Sequence, residues 1–309
     1  MTGYLGIDTS NYTTSAAVCR EDGTGFHSAR LLDVEPGKVG LRQSEALFQH
    51  VKRLPDRFAA LRAAGALTEL AAVGASTRPR AVEGSYMPCF LAGASQGRAL
   101  AETLDVPFYA FSHQQGHIAA ACWSADRMDL LDQPILAWHL SGGTTELLMV
   151  VPEGNNVRAA RIGGTTDLSA GQLIDRTGKY LHLDFPAGKE LDRLAQSTDA
   201  GERFRVRLDG LDFSLSGVEN QVKQLVEKEA ATERVARYTL LTIASLIRRA
   251  TDKAKLRYPG LPVLCSGGVA SNSILRSFLY DAVFAAPEFS TDNAMGVAVL
   301  TRRFYQRGA

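Results

Sequence analysis

Apolar and polar positions follow two rhythms along this chain, and the rhythm changes at short clusters of Gly, Ser, Thr and Asp. Tyr4–Ile7 and Ser15–Cys19 are apolar runs of strand length, separated by the small polar residues of Asp8–Thr14. Phe26–Leu32 predicts a third strand. From Ser44 to Arg62 the period lengthens to that of a helix, with Leu47, Phe48, Val51, Leu54, Phe58 and Leu61 as its apolar stripe. Pro55 removes a backbone donor there and is expected to kink or divide it. Leu70–Ala75 then reads as a strand, Ala92–Leu104 as a helix and Pro107–Phe111 as a strand.

The second half repeats the opening. Ile135–Leu140 predicts a strand, Ser141-Gly142-Gly143-Thr144-Thr145 a tight turn, and Glu146–Val151 a second strand. Two strand–polar turn–strand units, one near the start of each half, point to an internal duplication. Helices are expected at Leu168–Leu181, Gly217–Lys228, Glu233–Leu256, Ser271–Asp281 and Asp292–Tyr305. The strand Val263–Cys265 leads into Ser266-Gly267-Gly268-Val269. Pro152–Val157 and Ala200–Leu211 read as loops. The pattern is α/β in two lobes, with domains expected at 1–132 and 133–309.

Composition narrows the function classes. The chain has 309 residues, 45% of them hydrophobic, enough for two cores of ordinary size. Its formal charge is only +1, which argues against nucleic-acid binding by bulk charge and leaves room for a local basic patch. Cys19, Cys89, Cys122 and Cys265 form no CxxC pair and lie among apolar or small residues, as buried thiols of a reducing compartment do. The N-terminus lacks a basic segment followed by an apolar one, and apolar runs fall far short of the roughly 20 residues that span a bilayer. A cytoplasmic protein without membrane association is expected.

Three kinds of constellation carry chemistry. The glycine turns at Ser141–Thr145 and Ser266–Asn272 let backbone N–H groups approach an anion, because no Cβ intervenes. Each also serves as an ordinary turn, the second with Ser271 or Asn272 as a helix N-cap. Neither is a Walker A loop or GxGxxG. His113-Gln114-Gln115-Gly116-His117 sets two imidazoles four apart, on one face if the stretch is helical, where they chelate a divalent metal or merely pack. Gln114 stands where HExxH has its glutamate, so a zinc-protease base is missing. Asp292 is a candidate third ligand or an N-cap. Asp175, on a predicted helix, can accept hydrogen bonds from ribose hydroxyls or sit solvated, and Pro186-Ala187-Gly188-Lys189 forms a turn whose backbone can approach the same ligand. Asp8 is the first-turn carboxylate available as a base.

In order along the chain, Leu5–Ser10, His113–His117, Leu140–Thr145, Ala170–Asp175, Asp184–Gly188, Leu211–Gly217, Ser266–Asn272 and Ser290–Ala294 together resemble the tRNA threonylcarbamoyladenosine transferase family. The resemblance implies two ribonuclease H-like lobes of the actin-like ATPase (ASKHA) superfamily. It implies one divalent metal, iron or zinc, on His113, His117 and Asp292. It implies a pocket for an adenine nucleotide or threonylcarbamoyl-AMP built from His139, Leu140, Ser141, Gly142, Gly143, Asp175, Gly188 and Asn272, with Asp8 and Ser10 as catalytic candidates. The implied reaction moves threonylcarbamoyl from threonylcarbamoyl-AMP to N6 of adenosine 37 in tRNA. The implied partners are tRNA, a homologous inactive subunit and a small P-loop ATPase.

The sequence departs from the family pattern at Tyr12 and Thr13, where acidic residues stand, at Thr144 in place of a histidine, and at Arg78–Tyr86 in place of a Gly-Pro-Gly segment. Two further readings follow from these departures: a metal- and nucleotide-binding regulatory or scaffold protein without transfer, and a small-molecule kinase or carbamoyl transferase of the same superfamily. A peptidase lacks both a base and a nucleophile dyad.

Overall fold

The computed structural model describes residues 1–10, 12–34, 41–289 and 293–308. It divides into two units: Met1–Gln133, Val151–Ala159 and Asp292–Ala309 form the first, Pro134–Val150 and Ala160–Thr291 the second. The expected boundary after residue 132 therefore lies one residue from the first unit's edge. The C-terminal stretch, expected in the second lobe, belongs to the first, because its apolar face is used there.

The first unit opens with β1 (Gly3–Asp8), β2 (Thr13–Arg20) and β3 (Gly25–Leu31), continues with α1 (Gln43–Ala63), β4 (Leu70–Arg78), α2 (Phe90–Leu104), β5 (Phe108–Ser112) and α3 (His113–Ser124). Its sheet runs β3-β2-β1-β4-β5, antiparallel from β1 through β3 and parallel from β1 through β5. Leu5, Ile7, Ala16, Val18, Val73 and Ala75 are buried between sheet and helices with Leu54 and Leu61 of α1. β1 is buried along its whole length, so it reads as an unbroken apolar run rather than an alternating one.

The second unit is built on β6 (Ile135–Leu140), β7 (Thr145–Glu153), β8 (Asn156–Thr165), α4 (Ala170–Tyr180), α5 (Gly188–Gln196), β9 (Asp212–Phe213), α6 (Ser216–Glu227), α7 (Thr232–Arg257), β10 (Val263–Ser266), α8 (Ser273–Phe278) and β11 (Val283–Phe284), with the joined ends of β7 and β8, Val151–Ala159, counted in the first unit. Strand order is β11-β10-β6-β7-β8-β9. β6 pairs antiparallel with β7 and parallel with β10, which pairs parallel with β11, so β6 stands where β1 stands in the first sheet. The duplication expected from the two opening hairpins is thus a duplication of topology. α7 supplies much of this core: Leu240, Ile243, Leu246, Ile247, Ala250 and Ala254 pack with Trp138, whose indole N–H donates to Thr251 at 2.9 Å. The last helix, α9 (Ala294–Arg307), returns to the first unit.

Several expectations change. α1 is continuous through Pro55. Its inward residues are Ala46, His50, Leu54 and Leu61, whereas Phe48 and Val51 are exposed. The polar His50 is admitted because its Nδ1 pairs with Thr14 Oγ1 at 2.8 Å on β2. The Pro152–Val157 loop is instead a hairpin turn at Gly154-Asn155 between β7 and β8. The Pro186–Lys189 turn runs straight into α5, a helix too short to declare itself by periodicity. The helix expected over Ser271–Asp281 is confined to Ser273–Phe278. All four cysteines are buried, and burial pushes Cys122 and Cys265 up to about 12, which makes them poor nucleophiles at neutral pH.

α9 lies directly on β1 and α3. A Cβ at Gly6 would come within 2.3 Å of the Ala294 carbonyl and the Ala298 nitrogen, and one at Gly296 within 1.8 Å of the Gly116 carbonyl. Only glycine fits both crossings. Gly296→Ala is therefore expected to destabilise the protein by about 1–3 kcal/mol, as overpacking does. Gly201→Ala, where a Cβ meets nothing within 4 Å, is expected to be near neutral. Urea unfolding of the two variants side by side checks this; equal midpoints would refute the close crossing.

Candidate active site

In the first unit, β5 feeds α3 without a linker. Ser112 caps α3 in a capping box: its hydroxyl accepts from the Gln115 N–H at 3.2 Å, and the Gln115 side chain accepts from the Ser112 N–H at 2.9 Å. This fixes His113 at the first helical position and puts His117 one turn on. Their Nε2 atoms stand 3.1 Å apart. Two ligands on one ion with metal–nitrogen bonds of about 2.0–2.1 Å would be about 3 Å apart, so the pair has the span of a chelate.

His113 is oriented from behind. Its Nδ1 lies 3.0 Å from Asp8 Oδ2, and a proton on Nδ1 donated to that carboxylate leaves the Nε2 lone pair to face His117. Asp8 is buried at the end of β1. It also accepts from the Ser10 N–H at 2.9 Å, from the Ser76 hydroxyl and from the Asn293 amide at 3.0 Å. Burial by itself would raise this carboxyl, but the His113 imidazole and the hydrogen bonds from His113, Ser10 and Ser76 hold it far below the usual carboxylate range. Asp8 thus stands behind His113 as an orienting carboxylate. Ser10 is mostly buried and turns the chain beneath it.

Asn293, just before α9, donates to the His113 carbonyl at 2.8 Å, while its own Oδ1 is buried with no hydrogen-bond partner among the described residues. The far C-terminal stretch therefore reaches the imidazole pair. Asp292, the expected third ligand, lies outside the described residues, and among the described residues no group of three ligating side chains forms. Two converging imidazoles, one backed by a carboxylate, fit a divalent ion.

In the second unit, the Ser141–Thr145 turn is fastened to the N-terminus of α4. Ser141 and Thr144 close it: the Ser141 N–H donates to the Thr144 carbonyl at 2.8 Å, and the Thr144 N–H to Ser141 Oγ at 3.1 Å. Ser169 caps α4 and donates to the Gly142 carbonyl at 2.7 Å, while the Ala170 N–H donates to Thr145 Oγ1 at 2.8 Å. Gly171 permits the contact, since a Cβ there would sit 2.5 Å from Gly142 Cα. Gly267, at φ +93°, lies so close under β6 that a Cβ would meet the Leu140 carbonyl at 2.2 Å.

These turns border a cavity of about 500 Å³ lined by Gly142, Gly171, Asp175, Gly188, Lys189, Gly268 and Asn272 among others. Of the expected pocket residues, Gly142, Asp175, Gly188 and Asn272 come together in this lining. His139, Leu140, Ser141 and Gly143 are not part of it: the Leu140 side chain is buried in the core, His139 Nδ1 approaches Ser266 Oγ at 3.5 Å, and Ser141 and Gly143 shape the turn. Asn272 is the N-cap of α8, accepting from the Leu275 N–H at 3.0 Å, and its amide also donates to Asp192 at 2.9 Å. Sequence reasoning missed Asp192, because it placed Gly188 and Lys189 in a turn where α5 begins. Half-buried Asp175 accepts from the Ala187 N–H at 3.0 Å; burial raises its carboxyl above 3.8, and the Ala187 bond opposes this.

The TsaD family model, tRNA N6-adenosine threonylcarbamoyltransferase, matches residues 39–299. The tRNA N6-adenosine threonylcarbamoyltransferase of a Thermus thermophilus strain is 32% identical over 322 residues, covering 98% of this chain and 93% of its own length. That of Rhizobium etli is 31% identical over 328 residues, covering 95% and 86%. Among solved structures, full-length HypF in its phosphate- and nucleotide-bound form matches with a TM-score of 0.61 and 12% identity over 99% of this chain and 46% of that one. Component A of (R)-2-hydroxyglutaryl-CoA dehydratase from Acidaminococcus fermentans matches with a TM-score of 0.56 and 15% identity over 98% of both chains. These two share the fold.

A Cβ at Gly142 would meet no atom within 4 Å, so that glycine is not required by packing. Gly142→Val is expected to leave the thermal midpoint nearly unchanged and to weaken ADP binding by about tenfold or more, by filling the cavity wall that a phosphate approaches. Calorimetric titration with ADP alongside a melting curve checks it; undiminished affinity would remove the turn from the site.

Proposed function

The chain belongs to the tRNA N6-adenosine threonylcarbamoyltransferase family, and we propose that it transfers the threonylcarbamoyl group of threonylcarbamoyl-AMP to N6 of adenosine 37 in tRNA. The observation that carries this reading is the glycine-bordered cavity of about 500 Å³ that the second unit builds from Gly142, Asp175, Gly188 and Asn272, in a chain of that family. In the transfer, the N6 amine attacks the carbamoyl carbonyl carbon. The bond from that carbon to the phosphate oxygen breaks, AMP leaves, and the amine gives up one proton.

The chain's own groups divide this work. Gly142, Gly188 and Gly268 leave backbone accessible to the AMP phosphate. Lys189 adds a cation to the same cavity. The Asp175 carboxylate accepts from the ribose hydroxyls. In the first unit, His113 and His117 would hold a divalent ion. When bound, it supplies a Lewis acid for the threonylcarbamoyl oxygens. Asp8 and Asn293 keep His113 in the ligating tautomer and position. Thr144 supplies no imidazole, so ligation by that turn is not part of the mechanism.

The direct test gives the purified protein unmodified tRNA, threonine, bicarbonate, ATP and the adenylate-forming enzyme, with its pathway partners, and reads nucleosides by mass spectrometry. Modified adenosine is expected, and His113→Ala is expected to lower it by about a hundredfold while co-purifying with less metal. No product with all partners present would overturn the reading.

Asp175 adds a pH signature. Because its carboxyl is raised above 3.8, the ionised acceptor is lost at a higher pH than for an exposed aspartate. Nucleotide affinity should therefore be full well above that raised value and fall as pH drops through it. Folding linkage has the opposite sense: the group's stabilising contribution is complete below the unfolded value and is lost as pH rises through the folded one. Asp175→Asn is accordingly expected to abolish the acid-side loss of affinity without destabilising the protein at neutral pH. Calorimetric titrations with AMP across pH check this, and an unchanged profile would exclude Asp175 from the ribose contact.

A further inference from the structure

A second cavity lies in the second unit, of about 440 Å³, lined by Arg205, Val206, Arg207, Leu208, Arg249 and Lys253. Four of its six lining residues are cations and none is acidic, in a chain whose formal charge is only +1. The concentration is therefore local. Two segments build it. In the stretch before β9, Val206 is buried while its neighbours Arg205 and Arg207 are exposed, so burial of the apolar residue sends both guanidinium groups outward. On α7, Arg249 and Lys253 are one turn apart, flanking the core residues Ala250 and Ala254. Arg249 Nη1 donates to the Val206 carbonyl at 2.8 Å and fastens the one segment to the other.

Asp209, two residues beyond Arg207, is not part of this lining, and two other nearby acids are occupied elsewhere. Glu202 pairs with Arg234 at 2.7 Å, and Asp252, between Arg249 and Lys253, pairs with Arg248 at 2.9 Å. Among the described residues Arg205, Arg207 and Lys253 take part in no ion pair. Such clustering costs electrostatic self-repulsion, which an anionic partner relieves. The cavity is open, bordered by cations and distinct from the one assigned to the adenylate, so a polyanion laid across it fits better than a buried small molecule.

The geometry points to this groove as a docking site for the phosphate backbone of the tRNA substrate, acting by charge and without reading bases. The inference rests on the proposed tRNA reaction, and its test separates the two. The triple variant Arg205→Gln, Arg207→Gln, Lys253→Gln keeps Arg249, which braces Val206. Binding of an unmodified tRNA transcript is measured by fluorescence anisotropy over a range of KCl concentrations, and ADP binding by calorimetry. The variant is expected to bind tRNA about tenfold or more weakly and to lose about 2–3 from the slope of log affinity against log salt, with ADP affinity unchanged. Unchanged tRNA affinity and slope would overturn the assignment, as would loss of ADP binding with tRNA binding intact, which marks a small-anion site. Wild-type protein that binds tRNA through this groove yet transfers nothing would leave the docking site standing and sink only the reaction. Wild-type protein without measurable tRNA binding sinks the docking site.

Discussion

The close crossing of α3 and α9 is the constraint on which the first unit's chemistry depends. Gly116 and Gly296 let the two helices approach until only hydrogen atoms fit between them. That approach sets Asn293 against the His113 carbonyl and against Asp8, joining residues 285 positions apart in sequence. Were either glycine to carry a side chain, α9 would stand off from α3, Asp8 would lose one of its donors, and the imidazole pair would lose the support behind it. Dispersion and burial hold the helices together, but the absence of two Cβ atoms decides the distance at which they do so.

Asp8 shows why that distance matters. A carboxylate this deep in a protein is costly unless its lone pairs are filled, and here a backbone N–H, a hydroxyl, an amide and an imidazole share them. The result is a rigid arm: β1 ends in Asp8, Asp8 holds His113 Nδ1, and Nε2 is left to face His117. The second unit uses the same strand–turn–strand device for a different end. Its turn carries no orienting carboxylate; instead Ser169 and Gly171 of α4 clamp it from below, so that Gly142 presents bare backbone to the cavity. The same turn topology thus ends in an orienting carboxylate in one unit and in bare backbone in the other.

A second cavity of the same unit is organised by burial and charge. Its basic groove exists because Val206 needs the core and Arg249 needs an acceptor, and both needs are met by the same short segment. The remaining guanidinium and ammonium groups follow from where those two residues anchor the chain.

Strands β1, β2, β4, β6, β7 and β10 and helices α2, α6 and α7 were legible in the sequence, because long apolar runs and helical periods survive translation into structure. So was the imidazole pair, because four-residue spacing has one meaning on a helix. The hairpin at Gly154-Asn155, the short helix α5 with Asp192, and the outward turn of Phe48 and Val51 were not legible. Each depends on which neighbour arrives, and His50 shows this well: its polar ring is buried only because Thr14 meets it. By itself the sequence determined the α/β class, the duplicated opening, the two histidines and the glycine turns, all properties of local order. The tertiary structure alone decided that Asp8 is buried against His113, that Asn293 reaches His113, and that four cations share one groove, since each is a contact between segments whose separation along the chain carries no information about their distance in space.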